Sequence, residues 1–322
     1  MLDSILVPLD GSLLAECVLP HAAAIARAFD AKITLLRVLD KHQVHQSAQL
    51  FDLLNWQITK TEAKLYLEKI AARLKESGVE TRETVLEGLV AESITEFAQN
   101  QKMKLIILSS HGHTGLSQWG ISSVTQKIIF SAPTSVVIIR ARQPVTGELA
   151  LKERPYQQIM IPLDGSWRAE NVLPTITLLS HFHQSKIHIV HVVKTPEMAR
   201  HMPLTREDID LSNRIVARNR EEAIRYLDQM RLHSPLADID VKTHLLTSDN
   251  AAAALHDLAE REHVDLVALS AHGYSGNNQW PYGSMVNNFI LYSKVPLLIV
   301  QDIPAKEENV QVDMTVREHT EH

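Results

Sequence analysis

Two apolar patterns alternate along this chain of 322 residues. Short unbroken apolar runs rich in Val, Ile and Leu are separated by longer stretches whose apolar positions recur at helical spacing. The short runs predict strands at 4–8, 32–39, 80–86, 105–109 and 135–140, and the stretches between them predict helices at about 13–29, 48–77, 90–101 and 120–131. The same order then restarts, with strands at 158–162, 186–193, 239–245, 266–270 and 297–301 and helices at about 167–181, 205–232, 249–262 and 283–293. In the long second helices, Leu65, Ile70 and Leu74, and later Ile224 and Leu227, mark stripes that face a core.

The strands are apolar at successive positions, so both faces of the sheet are covered. Strict strand–helix alternation with both faces covered predicts an α/β fold of two tandem, doubly wound domains. Each is a five-stranded parallel sheet with helices on both sides. In such sheets a ligand binds beyond the carboxyl ends of the strands, where strand order switches. The informative loops therefore follow strands one, two and four of each half.

The restart is a true repeat. The segment from Pro8 to Pro20 returns as Pro162 to Pro174, with ten of thirteen positions identical. A second echo lies near the end of each half: Ser110-His111-Gly112 answers Ala271-His272-Gly273, Gln118-Trp119 answers Gln279-Trp280, and Ser123 answers Ser284. Whole domains are duplicated, which places domain one at 1–142 and domain two at 156–303. The turn-rich, polar interval 143–155 reads as a linker, and the charged segment 304–322 as a tail.

Composition narrows the function classes. Hydrophobic residues make up 45% and charged residues 22%, an ordinary globular mix. A net charge of −6 without a strongly basic stretch argues against nucleic acid as a partner. No apolar run reaches the ~20 residues of a membrane span, and the N-terminus lacks a basic region followed by a long apolar run. One cysteine, Cys17, excludes an intrachain disulfide and reads as a buried apolar residue. A cytoplasmic protein with no membrane contact is expected.

Two loops in each half could carry chemistry. The first is Asp10-Gly11-Ser12, repeated as Asp164-Gly165-Ser166. Glycine permits a tight turn and serine can cap the next helix, while the aspartate can accept from a sugar hydroxyl or a base amine. An ordinary capped turn explains the same residues. The second loop reads Ser270-Ala271-His272-Gly273, nine residues, then Gly283-Ser284 opening a helix. Glycines that let the backbone approach an anion, a helix N-terminus and a serine hydroxyl could together cradle two or three phosphates, and an ordinary βα loop with no ligand explains the same residues. Its counterpart reads Ser109-Ser110-His111-Gly112, nine residues, then Ser122-Ser123. If the helix-opening position needs a positive φ, Ser122 is strained and crowds a phosphate. His111 and His272 could donate to phosphate or tie the loop to backbone.

Other signatures are missing. There is no Walker-type loop, no dinucleotide G-x-G-x-x-G and no G-x-S-x-G elbow. The seventeen histidines include the near pairs His42/His45, His181/His183 and His188/His191, but none forms a ligand set with spacing such as H-E-x-x-H, so no metal site is expected. Along a strand, His188 and His191 would face opposite sides. Trp119 and Trp280 read as packing residues or as lids over a ligand.

The two loops together resemble the universal stress protein family. That family opens each domain with a hydrophobic-Pro-x-Asp-Gly-Ser-like segment and binds ATP through G-x-x-G, nine residues, then G-[ST]. Val7-Pro8-Leu9-Asp10-Gly11-Ser12 and Ile161-Pro162-Leu163-Asp164-Gly165-Ser166 match the first element. Gly273, Gly283 and Ser284 match the second, with Ser270 in place of a glycine; in domain one only Gly112 and Ser123 match, because Ser109 and Ser122 replace glycines. The resemblance implies the adenine-nucleotide α-hydrolase-like fold and an ATP or AMP ligand, chiefly in domain two, with Mg2+ accompanying a triphosphate. It further implies that Asp10 and Asp164 contact the adenosine and that the backbone of Val38 and Val192 reads the adenine edge. Pairing through fifth strands would make the chain an intramolecular pseudo-dimer, with a homodimer of tandem chains as a further assembly. The reading that follows is a non-enzymatic, nucleotide-binding stress-response protein. A partner-binding module without nucleotide and a slow ATPase or adenylyl-transfer enzyme are the alternatives.

Overall fold

The computed structural model describes residues 2–40, 49–112, 121–141, 155–196, 205–232, 236, 238–274 and 281–301, with 49–53 as backbone only. The first half runs β1 (Ser4–Pro8), α1 (Leu19–Phe29), β2 (Lys32–Leu39), α2 (Gln49–Glu76), β3 (Thr81–Glu87), α3 (Val90–Asn100), β4 (Leu105–Ser109), α4 (Ser123–Ser131) and β5 (Ser135–Ile139). The second runs β6 (Gln158–Pro162), α5 (Trp167–Glu170), α6 (Leu173–His183), β7 (Lys186–Val193), α7 (Arg206–Arg231), β8 (Asp240–Thr247), α8 (Ala251–Arg261), β9 (Leu266–Ser270), α9 (Ser284–Tyr292) and β10 (Leu297–Val300).

All ten strands join one sheet in the order β3-β2-β1-β4-β5-β10-β9-β6-β7-β8. Pairing is parallel within each half. In each half the order reverses beside the first strand, between β1 and β4 or between β6 and β9, which creates the crevice where α/β sheets bind ligands. The halves join where β10 pairs antiparallel with β5, Leu298 opposite Val137 and Ile299 opposite Val136. The two domains thus form the expected pseudo-dimer inside one chain.

The core follows the sheet across that seam. On one face Ile5, Val7 and Leu19 of the first half share a cluster with Ile159, Ile161 and Leu173 of the second. On the other face Leu6, Ile128 and Val136 join Met160, Val286 and Phe289. Buried side chains of this size each contribute roughly 1.5–3 kcal/mol. Polar contacts reinforce the seam: Tyr282 Oη donates to Ile129 O at 2.9 Å, and Arg140 donates to Phe289 O and Ile290 O at 3.0 and 2.6 Å. Cys17 is buried, and that burial pushes its thiol up to about 12. Among the described residues no helix is long and apolar enough to cross a membrane.

Two expectations change. The helix expected over 13–29 is broken: a 3-10 turn at Ala15–Val18 precedes α1, and the second copy splits into α5 and α6. Pro20 and Pro174 sit in the first turn of α1 and α6. A proline ring clashes with the carbonyl four residues back, so an α-helix cannot run through it from upstream. The edge strands β3 and β8 are also not uniformly apolar; they carry Arg82 and Glu83, or Asp240 and Lys242, on positions open to water. Charges on an exposed edge discourage strand addition.

Candidate functional site

In the second half, β6 ends in Asp164-Gly165-Ser166. Gly165 adopts φ +85°, a conformation costly for any other residue here. Ser166 caps α5 by accepting from Ala169 N at 3.2 Å. Asp164 Oδ1 accepts from Ser166 N and Oγ at 3.0 and 2.6 Å, and Oδ2 accepts from Tyr274 N at 2.6 Å. The carboxylate therefore clamps the loop after β6 to the loop after β9. A Cβ on Gly273 would collide with Asp164 Oδ2, so this glycine makes room for the clamp. The first half repeats the aspartate turn and its close approach to a glycine. Asp10 Oδ1 accepts from Ser12 N and Oγ at 2.9 and 2.6 Å, and a Cβ on Gly112 would strike Asp10 Oδ2. Gly112 and Gly273, chosen from sequence, thus make room for the aspartates.

Above the clamp lies a cavity of ≈ 790 Å³ at the carboxyl ends of β6, β7 and β9. Pro162, Asp164, Val192 and Ser270 line it from the strands, and His272, Gly273, Gly283 and Ser284 from the last loop and helix. All eight residues expected for domain two share one space. Lys194, Glu222 and Tyr226 also border it, and sequence reasoning missed them. They sit at the end of β7 or on α7, where the only signal was polar residues on a helix otherwise read as a core stripe.

The N-terminus of α9 opens onto this cavity. Gly283 is extended, with φ −69° and ψ 164°, and among the described residues no side chain caps the helix. Its own N–H donates to Ala271 O at 2.9 Å. The first-turn amides, together with the helix dipole, thus present positive potential to the cavity. Ser270 Oγ on its wall is buried and has no hydrogen-bond partner among the described residues. A buried hydroxyl without a partner costs about 1–3 kcal/mol unless something fills the gap.

The first half differs where it was expected to, for another reason. Ser122 has φ −64° and ψ 153°, the same extended backbone as Gly283. The position never needs a positive φ, so the expected strain is absent. Ser122 instead caps α4: its Oγ accepts from Thr125 N at 3.1 Å and donates to Thr125 Oγ1 at 2.8 Å. Thr125 Oγ1 in turn donates to Ser109 O at 3.1 Å. Ser123 begins the helix behind this closed ring of bonds.

A second difference lies on β2. Arg37 folds its guanidinium over Gly11, where a Cβ would collide with it, and stands 5.5 Å from the Tyr66 ring. Pro8 and Val38, expected at the first-half site, lie at the ends of β1 and β2 beside it. The matching residue in the second half is His191, held back by a 2.9 Å bond between its Nδ1 and Leu163 O and set edge-on to Tyr226. Burial lowers the His191 pKa, keeping the ring neutral and its second nitrogen an acceptor. Tyr226 is pushed up, first by burial and then by its bond to Glu170 at 2.9 Å.

The histidines in the loops act partly as ties. His111 Nδ1 lies 3.1 Å from Ser110 Oγ, which accepts from Ala141 N at 3.1 Å. Burial, then the charge of Arg140, lowers the His111 pKa. His272 is buried at the cavity wall. His188 and His191 face opposite sides as expected; His188 meets His244 on β8 rather than its sequence neighbour. Trp119, Trp280, His42 and His45 lie outside the described residues.

Comparison with known proteins agrees with this arrangement. The model of the universal stress protein family matches residues 1–140 and 155–301. Universal stress protein MJ0531 of Methanocaldococcus jannaschii is 32% identical over 137 residues, covering 42% of this chain and 81% of its own. Universal stress protein MJ0577 of the same organism is 27% identical over 158 residues, covering 44% and 97%. Each of these relatives spans one half of the tandem. A universal stress protein structure from Archaeoglobus fulgidus superposes with a TM-score of 0.64, covering 94% of this chain and 99% of that one at 16% identity. That likeness establishes the shared fold.

Proposed function

The chain belongs to the universal stress protein family, and from that premise we propose that it is a stress-response protein whose second half binds an adenine nucleotide. The uncapped N-terminus of α9, open to a ≈ 790 Å³ cavity with an orphaned Ser270 hydroxyl on its wall, carries this reading. The volume suits a nucleotide, since small-ligand sites run from about 300 to 1,000 Å³. The phosphates would lie on the first-turn amides of α9, with Gly283 leaving the approach clear and Ser284 and Ser270 donating hydroxyls. Asp164 retains acceptor capacity for a ribose hydroxyl beyond its three intrachain donors. The backbone at Val192 and its neighbours would meet the base at the end of β7.

Mg2+ with a triphosphate would be held chiefly by phosphate oxygens and water, because the Asp164 carboxylate at this end of the cavity already serves the loop clamp. ATP and AMP both fit the proposal, which is of binding rather than turnover. A partner-binding role without nucleotide is favoured for the first half alone, where Ser122 closes the helix end and Arg37 covers Gly11.

Calorimetry with ATP and AMP tests the site. Micromolar binding, about −8 kcal/mol, with one nucleotide per chain is expected. Gly283→Asp should abolish it. A Cβ there meets nothing closer than 3.7 Å, so the fold survives and the added charge opposes the phosphates. Unchanged affinity in that variant would remove the site assignment.

A further inference from the structure

At the opposite end of the outer strands, three ligand-type side chains converge. His188 Nδ1 on β7 lies 3.0 Å from His244 Nε2 on β8 and 3.9 Å from Glu262 Oε2 at the C-terminus of α8. One ligand atom from each of the three falls within 4.8 Å of the others. None of them lines the nucleotide cavity.

We propose that His188, His244 and Glu262 form a transition-metal site, of the chemistry that suits Zn2+, independent of the nucleotide. A tetrahedral zinc with ligands at about 2.0–2.1 Å has ligand–ligand edges of about 3.3–3.4 Å, and the two measured separations bracket that value. Two imidazoles and one carboxylate leave a fourth position for water, and imidazole excludes Mg2+ as the natural occupant.

The surroundings are arranged for it. His188 Nε2 lies 2.8 Å from Gln158 Oε1, which can only accept, so the proton sits on Nε2 and the Nδ1 lone pair points at His244 and Glu262. An outer oxygen that fixes a ligand's tautomer is a regular companion of metal-bound histidine. His188 is buried, so little water competes for its ring nitrogens. The negative end of α8 adds to the carboxylate of Glu262.

A cationic side chain reaches the same carboxylate. Lys242 Nζ pairs with both Glu262 oxygens at 3.0 and 2.9 Å, while the nearby Lys186 pairs with Asp240 at 3.7 Å. Lys242 is half exposed and free to swing outward when a divalent ion enters. His244 would then carry its proton on Nδ1 and turn the Nε2 lone pair to the metal. The first half provides a built-in control: Thr34 occupies the matching place on β2, Thr84 that on β3, and Gln101 that at the end of α3. No imidazole or carboxylate stands there.

Titration of the metal-free full chain with ZnCl2, followed by calorimetry and by the rise in Tm, tests the proposal. The expected result is one tight site per chain that a large excess of MgCl2 does not displace. CoCl2 should give the visible absorption of a four-coordinate ion. His244→Ala and Glu262→Gln should each weaken binding at least ~10-fold, and Gln158→Leu by ~10–100-fold. Lys242→Met should tighten it, a gain that a damaged fold cannot mimic. Zinc affinity unchanged in both His244→Ala and Glu262→Gln would overturn the assignment.

Discussion

The last helix of the first half closes its own N-terminus, and the last helix of the second half leaves it open. Ser122 and Gly283 share the same backbone conformation, yet the serine oxygen already accepts Thr125 N, while among the described residues no side chain caps the amides of α9. Arg37 and His191 differ in the same sense, one lying over the glycine turn and the other pinned to a backbone carbonyl. The close approach of aspartate to glycine, in contrast, is the same in both halves. Duplication has thus kept the aspartate–glycine contact between the two loops and altered the parts that would touch a ligand.

The largest effect should come from the shared part. Gly112→Ala and Gly273→Ala each force a Cβ into an aspartate oxygen, and overpacking of this kind costs about 1–3 kcal/mol. Urea unfolding should show comparable losses for the two variants. Only Gly273→Ala should also weaken ATP binding. A loss confined to one half would mean that the two clamps are not equivalent.

The differing part should give a smaller and more selective effect. Gly283→Ser copies the first half: the new hydroxyl caps α9 and withdraws an amide, lowering ATP affinity ~10-fold, about 1.4 kcal/mol. Stability should move by only a few tenths of a kcal/mol, the difference between serine and glycine as caps. Ser122→Gly alone should leave the stoichiometry at one nucleotide per chain, because Arg37 still covers Gly11. Two nucleotides per chain in that variant would show that the cap alone closes the first half.

Much of this was readable from the sequence. Unbroken apolar runs placed the inner strands, because a strand covered on both faces has few polar positions to blur its ends. The edge strands β3 and β8 were offset by one or two residues, since Arg82 and Lys242 face water and weaken that signal. Motif spacing, with the family resemblance supplying Val192, picked out eight second-half residues that share one cavity. It could not separate their roles, however: which glycine meets a carboxylate and which opens a helix depends on backbone angles and a clash that no spacing records. Arg37 was passed over because a charged residue inside a strand carries no motif. The partner of His188 was hidden for a similar reason, as His244 lies on a strand whose register to β7 only the sheet fixes.

The smallest of these effects belongs to the seam between the halves. Tyr282, directly before Gly283, donates to Ile129 O on α4 at 2.9 Å and packs its ring edge-on against Phe130. The first half has Ile121 at the matching place, an apolar residue that offers no return bond. The open helix end is therefore tied to the domain that carries the closed one. Tyr282→Phe keeps the ring and removes one buried hydrogen bond, leaving Ile129 O without that donor. About 1 kcal/mol of stability should be lost. If the tie also positions Gly283, ATP affinity in Tyr282→Phe should fall beyond what a control such as Lys294→Ala, at the exposed far end of α9, produces. Equal affinity in both would confine Tyr282 to holding the two halves together.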